Sequence, residues 1–103
     1  MMRSHSLAVL AVCSLLAAPA IADDDFTGRS IGSACFGCHG AAGANRTSIP
    51  PIIQGVPADY IESAMQAYRD GSRPSTIMGR IAKGYTDAEI TAMANYISSQ
   101  GGN

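Results

Sequence analysis

The sequence has no tryptophan, and aromatic residues make up only 6% of its 103 residues. So short a chain with so few large side chains builds a thin core. Such domains need a staple: disulfides, a metal or a cofactor. Cysteine is scarce too, with only Cys13, Cys35 and Cys38, which is too few for a disulfide scaffold. An excess of one charge is also missing. Seven Lys and Arg stand against eight Asp and Glu, and no basic stripe runs along the chain. The electrostatic footprint of a nucleic-acid binder is therefore absent. No long apolar run occurs either. The stretch from Leu7 to Ala18 falls short of the roughly 20 apolar residues of a transmembrane helix, so no membrane span is expected. Strand-like alternation, internal repeats and low-complexity blocks are likewise missing.

What the first residues do contain is an export signal. Arg3 supplies the positive start, Leu7 to Ala18 the short apolar region, and Ala20-Ile21-Ala22 a small-x-small cleavage site after Pro19. Leu10-Ala11-Val12 before Cys13 suggests a lipoprotein signal, but bulky Val12 fits that processing poorly. The expected organisation is a cleaved signal peptide over residues 1–22 and one domain over residues 23–103. Export points to the periplasm, outside the reducing cytoplasm. Cleavage removes Cys13 and His5 and leaves Cys35 and Cys38 as the only thiols.

Those two thiols stand in Cys35-Phe36-Gly37-Cys38-His39. Cys-x-x-Cys-His is the attachment signature of c-type haem. Two thiols add to the haem vinyl groups as thioethers, and the adjoining histidine reaches the iron. The close spacing fixes ring and ligand together. A thioredoxin-like pair would need a preceding strand and a βαβ context. A structural zinc site takes four Cys or His ligands, and only three remain. One covalent haem c also supplies the apolar staple that the thin core lacks.

The second iron ligand is to be sought among Met65, Met78 and Met93, because no second histidine remains. Met65 and Met93 fall on apolar helical stripes, which suits core packing. Met78 lies in a loop and is followed by Gly79, which would let the backbone approach the ring. A thioether raises the haem potential and closes the iron to small ligands. The chain thus reads as His39 and Met78 on the iron. A ligating histidine donates its other ring nitrogen to a carbonyl or carboxylate, and the carbonyl of Pro51, or else of Pro50, is in the right stretch. A haem enzyme or gas sensor would need the open position that Met78 closes.

The fold class reads as all-α, three to four short helices joined by glycine-rich loops. Asp23-Asp24-Asp25 reads as a solvated start. A first helix is expected from Phe26 to Gly37, carrying Ile31 and Ala34 and weakened by Gly28 and Gly32. The glycines of the 40–43 stretch should loosen the chain after the motif. Asn45 to Gly55 is irregular around Pro50-Pro51. Pro57 suits the first position of a second helix, in which Ile61, Ala64, Met65 and Tyr68 form one face and which Gly71 ends. Ser72 to Tyr85 reads as a loop, with a short turn near Ile77 to Lys83. Thr86 and Glu89 form a capping box, with Tyr85 and Ile90 as its hydrophobic staple. The last helix buries Ile90, Met93, Ala94 and Ile97 and closes at Gly101-Gly102.

Taken together, the motif, the later loop methionine and Pro51-x-Ile53-x-Gly55 resemble class I cytochromes c. A more specific likeness is carried by Tyr60, by Met65-Gln66-Ala67-Tyr68-Arg69-Asp70-Gly71 and by Met78-Gly79-Arg80-Ile81-Ala82-Lys83-Gly84-Tyr85. These resemble the cytochrome subunit of flavocytochrome c sulfide dehydrogenase, and the resemblance runs from about Cys35 to Ile97, most of the expected mature chain. The resemblance implies a small class I cytochrome c fold around one haem and no catalytic residues on this chain. It further implies an FAD-containing sulfide dehydrogenase subunit as electron donor, and a soluble or membrane redox partner as acceptor. Some members carry two domains and two haems; this chain has one motif. The alternative is a free monohaem carrier shuttling between periplasmic complexes. Arg69, Arg73, Arg80 and Lys83 surround the methionine loop, where they would steer a partner or stand solvated. Ile49 and Ile77 would serve as interface or haem cover.

Overall fold

The computed structural model describes residues 24–101 apart from Ser48. The expected signal segment, residues 1–22, lies outside the described residues, as do Asp23, Gly102 and Asn103.

All regular structure among the described residues is helical. Helix α1 spans Asp24–Gly32, continues through a 3-10 turn at Ser33–Cys35 and passes into the single-turn α2, Phe36–His39. The helical stretch thus starts before Phe26, and Asp24 and Asp25 belong to its first turn, with Asp25 exposed. Acidic groups there suit the positive end of a helix. Ile31 is half-buried, but Ala34 is exposed, because the 3-10 turn changes the rotation of the chain.

Helix α3, Ala58–Asp70, presents the face read from the sequence: Ile61 and Met65 are buried, and Ala64 and Tyr68 are half-buried. Pro57 sits one position earlier than expected. Its ψ of 135° makes it the N-cap, while its carbonyl accepts from the N–H groups of Tyr60 and Ile61, both at 3.1 Å. At the other end Gly71 leaves the helix in the left-handed conformation, φ 84°. The short turn near Ile77 is a helix, α4, Met78–Ala82.

Helix α5, Asp87–Ser99, opens on the capping box. The Thr86 hydroxyl accepts from Glu89 N–H at 3.2 Å, and Glu89 Oε2 accepts from Thr86 N–H at 2.8 Å. Ile90, Met93, Ala94 and Ile97 are buried and join Ile61, Met65 and Ala82 in one core cluster, against which Tyr85 packs. Burial of each large side chain contributes roughly 1.5–3 kcal/mol, so this small set is a modest core.

The closest helix contact comes from two residues that weaken a helix in isolation. A Cβ on Gly28 would lie 2.4 Å from the Ala92 carbonyl oxygen, and one on Gly32 would lie 2.7 Å from Tyr96 Cδ1. The glycines form a notch in α1 that seats α5. This packing is tertiary, so α1 carries no periodicity signal of it.

The two notches differ in what can yield. Gly28→Ala drives a methyl group into a helix backbone, and should lower stability in urea by about 1–3 kcal/mol, despite a helix-propensity gain of roughly 1 kcal/mol. Gly32→Ala meets an aromatic edge that can swing, and should cost less. Equal midpoints for Gly28→Ala and the parent would contradict the notch.

Candidate functional site

The functional side chains stand where α1 and its continuation end. Cys35 closes the 3-10 turn, and Cys38 and His39 lie in α2, so the three residues are held within about one helical turn. Both thiols are free; Cys35 is half-buried and Cys38 exposed. Burial pushes the Cys35 thiol above the ordinary cysteine range, with a smaller push from Cys38. Cys35 and Phe36 pack against the core cluster, and Phe36 lies with its ring centroid 6.0 Å from that of Tyr96 on α5. The motif is thus anchored from one side by apolar contact.

From the other side it is anchored by hydrogen bonds. His39 is buried, and its Nδ1 lies 2.6 Å from the Pro51 carbonyl oxygen. A carbonyl only accepts, so Nδ1 carries the proton and donates. In the neutral ring this leaves the Nε2 lone pair to bind a metal.

The acceptor is itself held in place. Asn45 Nδ2 donates to the Pro50 carbonyl at 2.9 Å. The Gly43 carbonyl accepts from Ile53 N–H at 2.9 Å and from Gln54 N–H at 3.1 Å. Pro51 therefore sits between two fastenings. Gly43 has φ 77°, and a Cβ there would lie 2.8 Å from Ile53 Cγ1. The expectation that the glycines of this stretch loosen the chain is reversed at Gly43, which lets the proline loop close onto it. Asn45 and Gly43 are the site residues that sequence reading missed. Both lay in a stretch that read only as irregular, although an Asn a few residues before Pro-Pro is a recognisable turn signal.

Met78 is the first residue of α4, half-buried, and packs against the same core cluster as Cys35 and Phe36. Met65 and Met93 lie within that cluster, Met93 with no exposed surface. Gly79 approaches protein rather than open space: a Cβ there would lie 3.1 Å from Ser75 Oγ and 3.4 Å from the Tyr68 carbonyl oxygen. Its N–H donates to Ser75 Oγ at 2.8 Å, so the small residue serves the packing of α4 on α3. Of the four basic residues here, Arg69 is bonded to Tyr85 and Asp87, and Arg73 lies over Tyr60 and Tyr68. Arg80 and Lys83 are exposed.

Three large aliphatic side chains near these segments remain open: Ile49 at 84% exposure, Ile52 at 55% and Ile77 at 58%. They flank the proline pair and precede Met78. Among the described residues no group of three or more His, Cys, Asp and Glu side chains converges as a metal-ion site. Cys35, Cys38 and His39 fit a porphyrin iron, with two thiols suited to covalent attachment and an imidazole of fixed tautomer. Among the described residues no helix is long and apolar enough to cross a membrane.

The comparisons with known proteins agree with this chemistry. The family model for cytochrome c matches residues 27–101. The cytochrome subunit of sulfide dehydrogenase from Chlorobaculum tepidum is 46% identical over 72 residues, covering 70% of this chain and 64% of that protein. The chain thus spans somewhat less than two thirds of that relative's length. Cytochrome c-554(548) from Halomonas halodenitrificans is 38% identical over 82 residues, covering 77% of this chain and 99% of that protein. A thiosulfate dehydrogenase electron acceptor from Stutzerimonas stutzeri is 36% identical over 70 residues, or 65% of this chain and 32% of that protein. With its helical fold, its haem-attachment motif and a family match over most of its length, the chain belongs to the cytochrome c family, whose members transfer electrons through a covalently bound haem c.

Proposed function

We propose that this chain is the haem subunit of a periplasmic sulfide-oxidising flavocytochrome, taking single electrons from an FAD-containing subunit and passing them to a soluble or membrane redox partner. In this reading residues 1–22 are removed on export and residues 23–103 form the cytochrome domain. Cys35 and Cys38 attach the haem, and His39 and Met78 bind its iron. The observation that carries the site is the bond from His39 Nδ1 to the Pro51 carbonyl. It orients the imidazole and raises its basicity as a ligand.

When bound, haem c supplies a one-electron iron couple, and the chain's own residues set its properties. The Met78 thioether favours the reduced state and keeps exogenous ligands off the iron. The Pro51 carbonyl keeps the His39 proton on Nδ1. Ile49, Ile52 and Ile77 are exposed and would serve as haem cover or as interface. No group on this chain is asked to break or form a bond in the substrate, so sulfide chemistry belongs to the flavin partner.

The partner assignment draws on the name of the Chlorobaculum tepidum relative and on the block from Met78 to Tyr85. A second reading, a free carrier, draws on a different observation. The match to cytochrome c-554(548) covers nearly all of that protein but 77% of this chain, so that relative is about as long as the domain expected over residues 23–103.

Met78→Ala should abolish the sulfur-to-iron charge-transfer band of the oxidised holoprotein. It should also lower the potential by a measurable part of the roughly 0.8 V span that axial ligands command. Met65→Ala should leave the band intact; the reverse pattern would move the ligand to Met65. Purification from the native source under mild conditions should yield a flavin-containing subunit with this chain, and sulfide should reduce the haem of the complex. A monomer that no sulfide-oxidising flavoprotein reduces would favour the free carrier.

A further inference from the structure

We propose that Arg69 and Arg73 are positioning residues that clamp the two ends of the Met78 segment onto α3 and so hold Met78 on the haem iron. The proposal rests on Met78 being the sixth ligand.

The segment between α3 and α5 has little core of its own. Its only regular structure is the five-residue α4, and Arg80, Thr76 and Ile77 are exposed. Arginines fasten it at both ends. Where the chain leaves α3, the Arg73 guanidinium lies 5.0 Å from the ring centroid of Tyr68 and 5.8 Å from that of Tyr60. Both distances are within the roughly 6 Å reach of a cation–π contact. Nη1 and Nη2 also point at the Tyr60 hydroxyl, each at 3.4 Å. These are long for hydrogen bonds, so the two ring faces supply most of the hold. The Arg73 backbone N–H donates to the Ala67 carbonyl at 3.1 Å, pinning the same residue through its main chain. Where the segment meets α5, Arg69 Nη1 donates to the Tyr85 carbonyl at 3.2 Å and Nη2 pairs with Asp87 Oδ1. One α3 side chain thus holds both the residue before the Thr86 cap and the first turn of α5.

Both anchors return to one helix. Tyr60, Tyr68 and Arg69 all belong to α3, whose Ile61 and Met65 are part of the core. The clamps therefore tie the segment to a helix that itself contributes to the core. They engage Arg69 and Arg73 within the chain, whereas Arg80 and Lys83 are exposed.

A held thioether excludes exogenous ligands, and a loosened segment lets them in. The test is the rate at which imidazole binds the oxidised holoprotein. Arg73→Gln and Arg69→Gln should each raise that rate about three- to tenfold, the range set by one cation–π or charged contact. The charge-transfer band should persist in the resting state of both. Tyr60→Leu reaches the same clamp from the α3 side, at an exposed residue, should Arg73→Gln fail to fold. Tyr60→Phe keeps the ring and should raise the rate less than Tyr60→Leu does. Unchanged imidazole rates with slower reduction by a partner would overturn the clamp and make these arginines docking residues. A rate increase no larger than the accompanying loss of global stability, followed by helical circular dichroism, would also overturn it. Survival of the band in Met78→Ala would instead overturn the ligand assignment, which keeps the two failures distinct.

Discussion

The bond between His39 Nδ1 and the Pro51 carbonyl joins the motif helix to a loop twelve residues away, and much of the site is arranged to keep it. The acceptor is a backbone group, so no side chain at residue 51 can be exchanged to move it. Its position depends on the path of the loop. That path is fixed by Asn45 on the Pro50 carbonyl and by the Gly43 carbonyl on Ile53 and Gln54. Proline at 50 and 51 narrows the conformations of the loop and removes two N–H donors that would otherwise need partners. The result is an imidazole whose tautomer and ring plane are set by the fold of the chain. This preorganisation is what a redox site requires, since a ligand that shifted between oxidation states would slow electron transfer.

The same economy governs the rest of the chain. The protein core consists of one face of α3, one stripe of α5 and Ala82 of α4. α1 docks on α5 through the glycine notch rather than through large interlocking side chains. Such a core leaves little margin in a native stability of only 5–15 kcal/mol. Covalent haem adds a large apolar surface with no loss of translational freedom at each folding event, because a covalent group is already tethered to the chain.

The parts of the structure legible in the sequence were those written in local chemistry. Thr86 and Glu89 announced the start of α5 because a capping box satisfies its own backbone groups within four residues. Ile90, Met93, Ala94 and Ile97 announced its buried stripe through spacing alone. The features that escaped were those in which one segment answers to another. Gly28 and Gly32 read as defects in a helix because nothing local says that α5 will fill the space. Gly43 read as slack, although it is the close approach of Ile53 and Gln54 that calls for glycine. Gly79 read as clearance for a ring, while its neighbours are Ser75 and the Tyr68 carbonyl. Arg69 and Arg73 read as charges that steer a partner or stand solvated, because Tyr85, Asp87, Tyr60 and Tyr68 come to them only in the folded chain.

Cys35, Cys38 and His39 carry the central claim, that this fold exists to hold one covalent haem in an exported protein. The most direct measurement is the intact mass of the protein from its native host under denaturing conditions, together with the mass of the peptide containing Cys35 to His39. The account predicts a chain beginning at Asp23 and heavier by one haem, with that mass retained on the peptide and no thiol open to alkylation. A chain that alkylates at both Cys35 and Cys38 and carries no haem mass would contradict it.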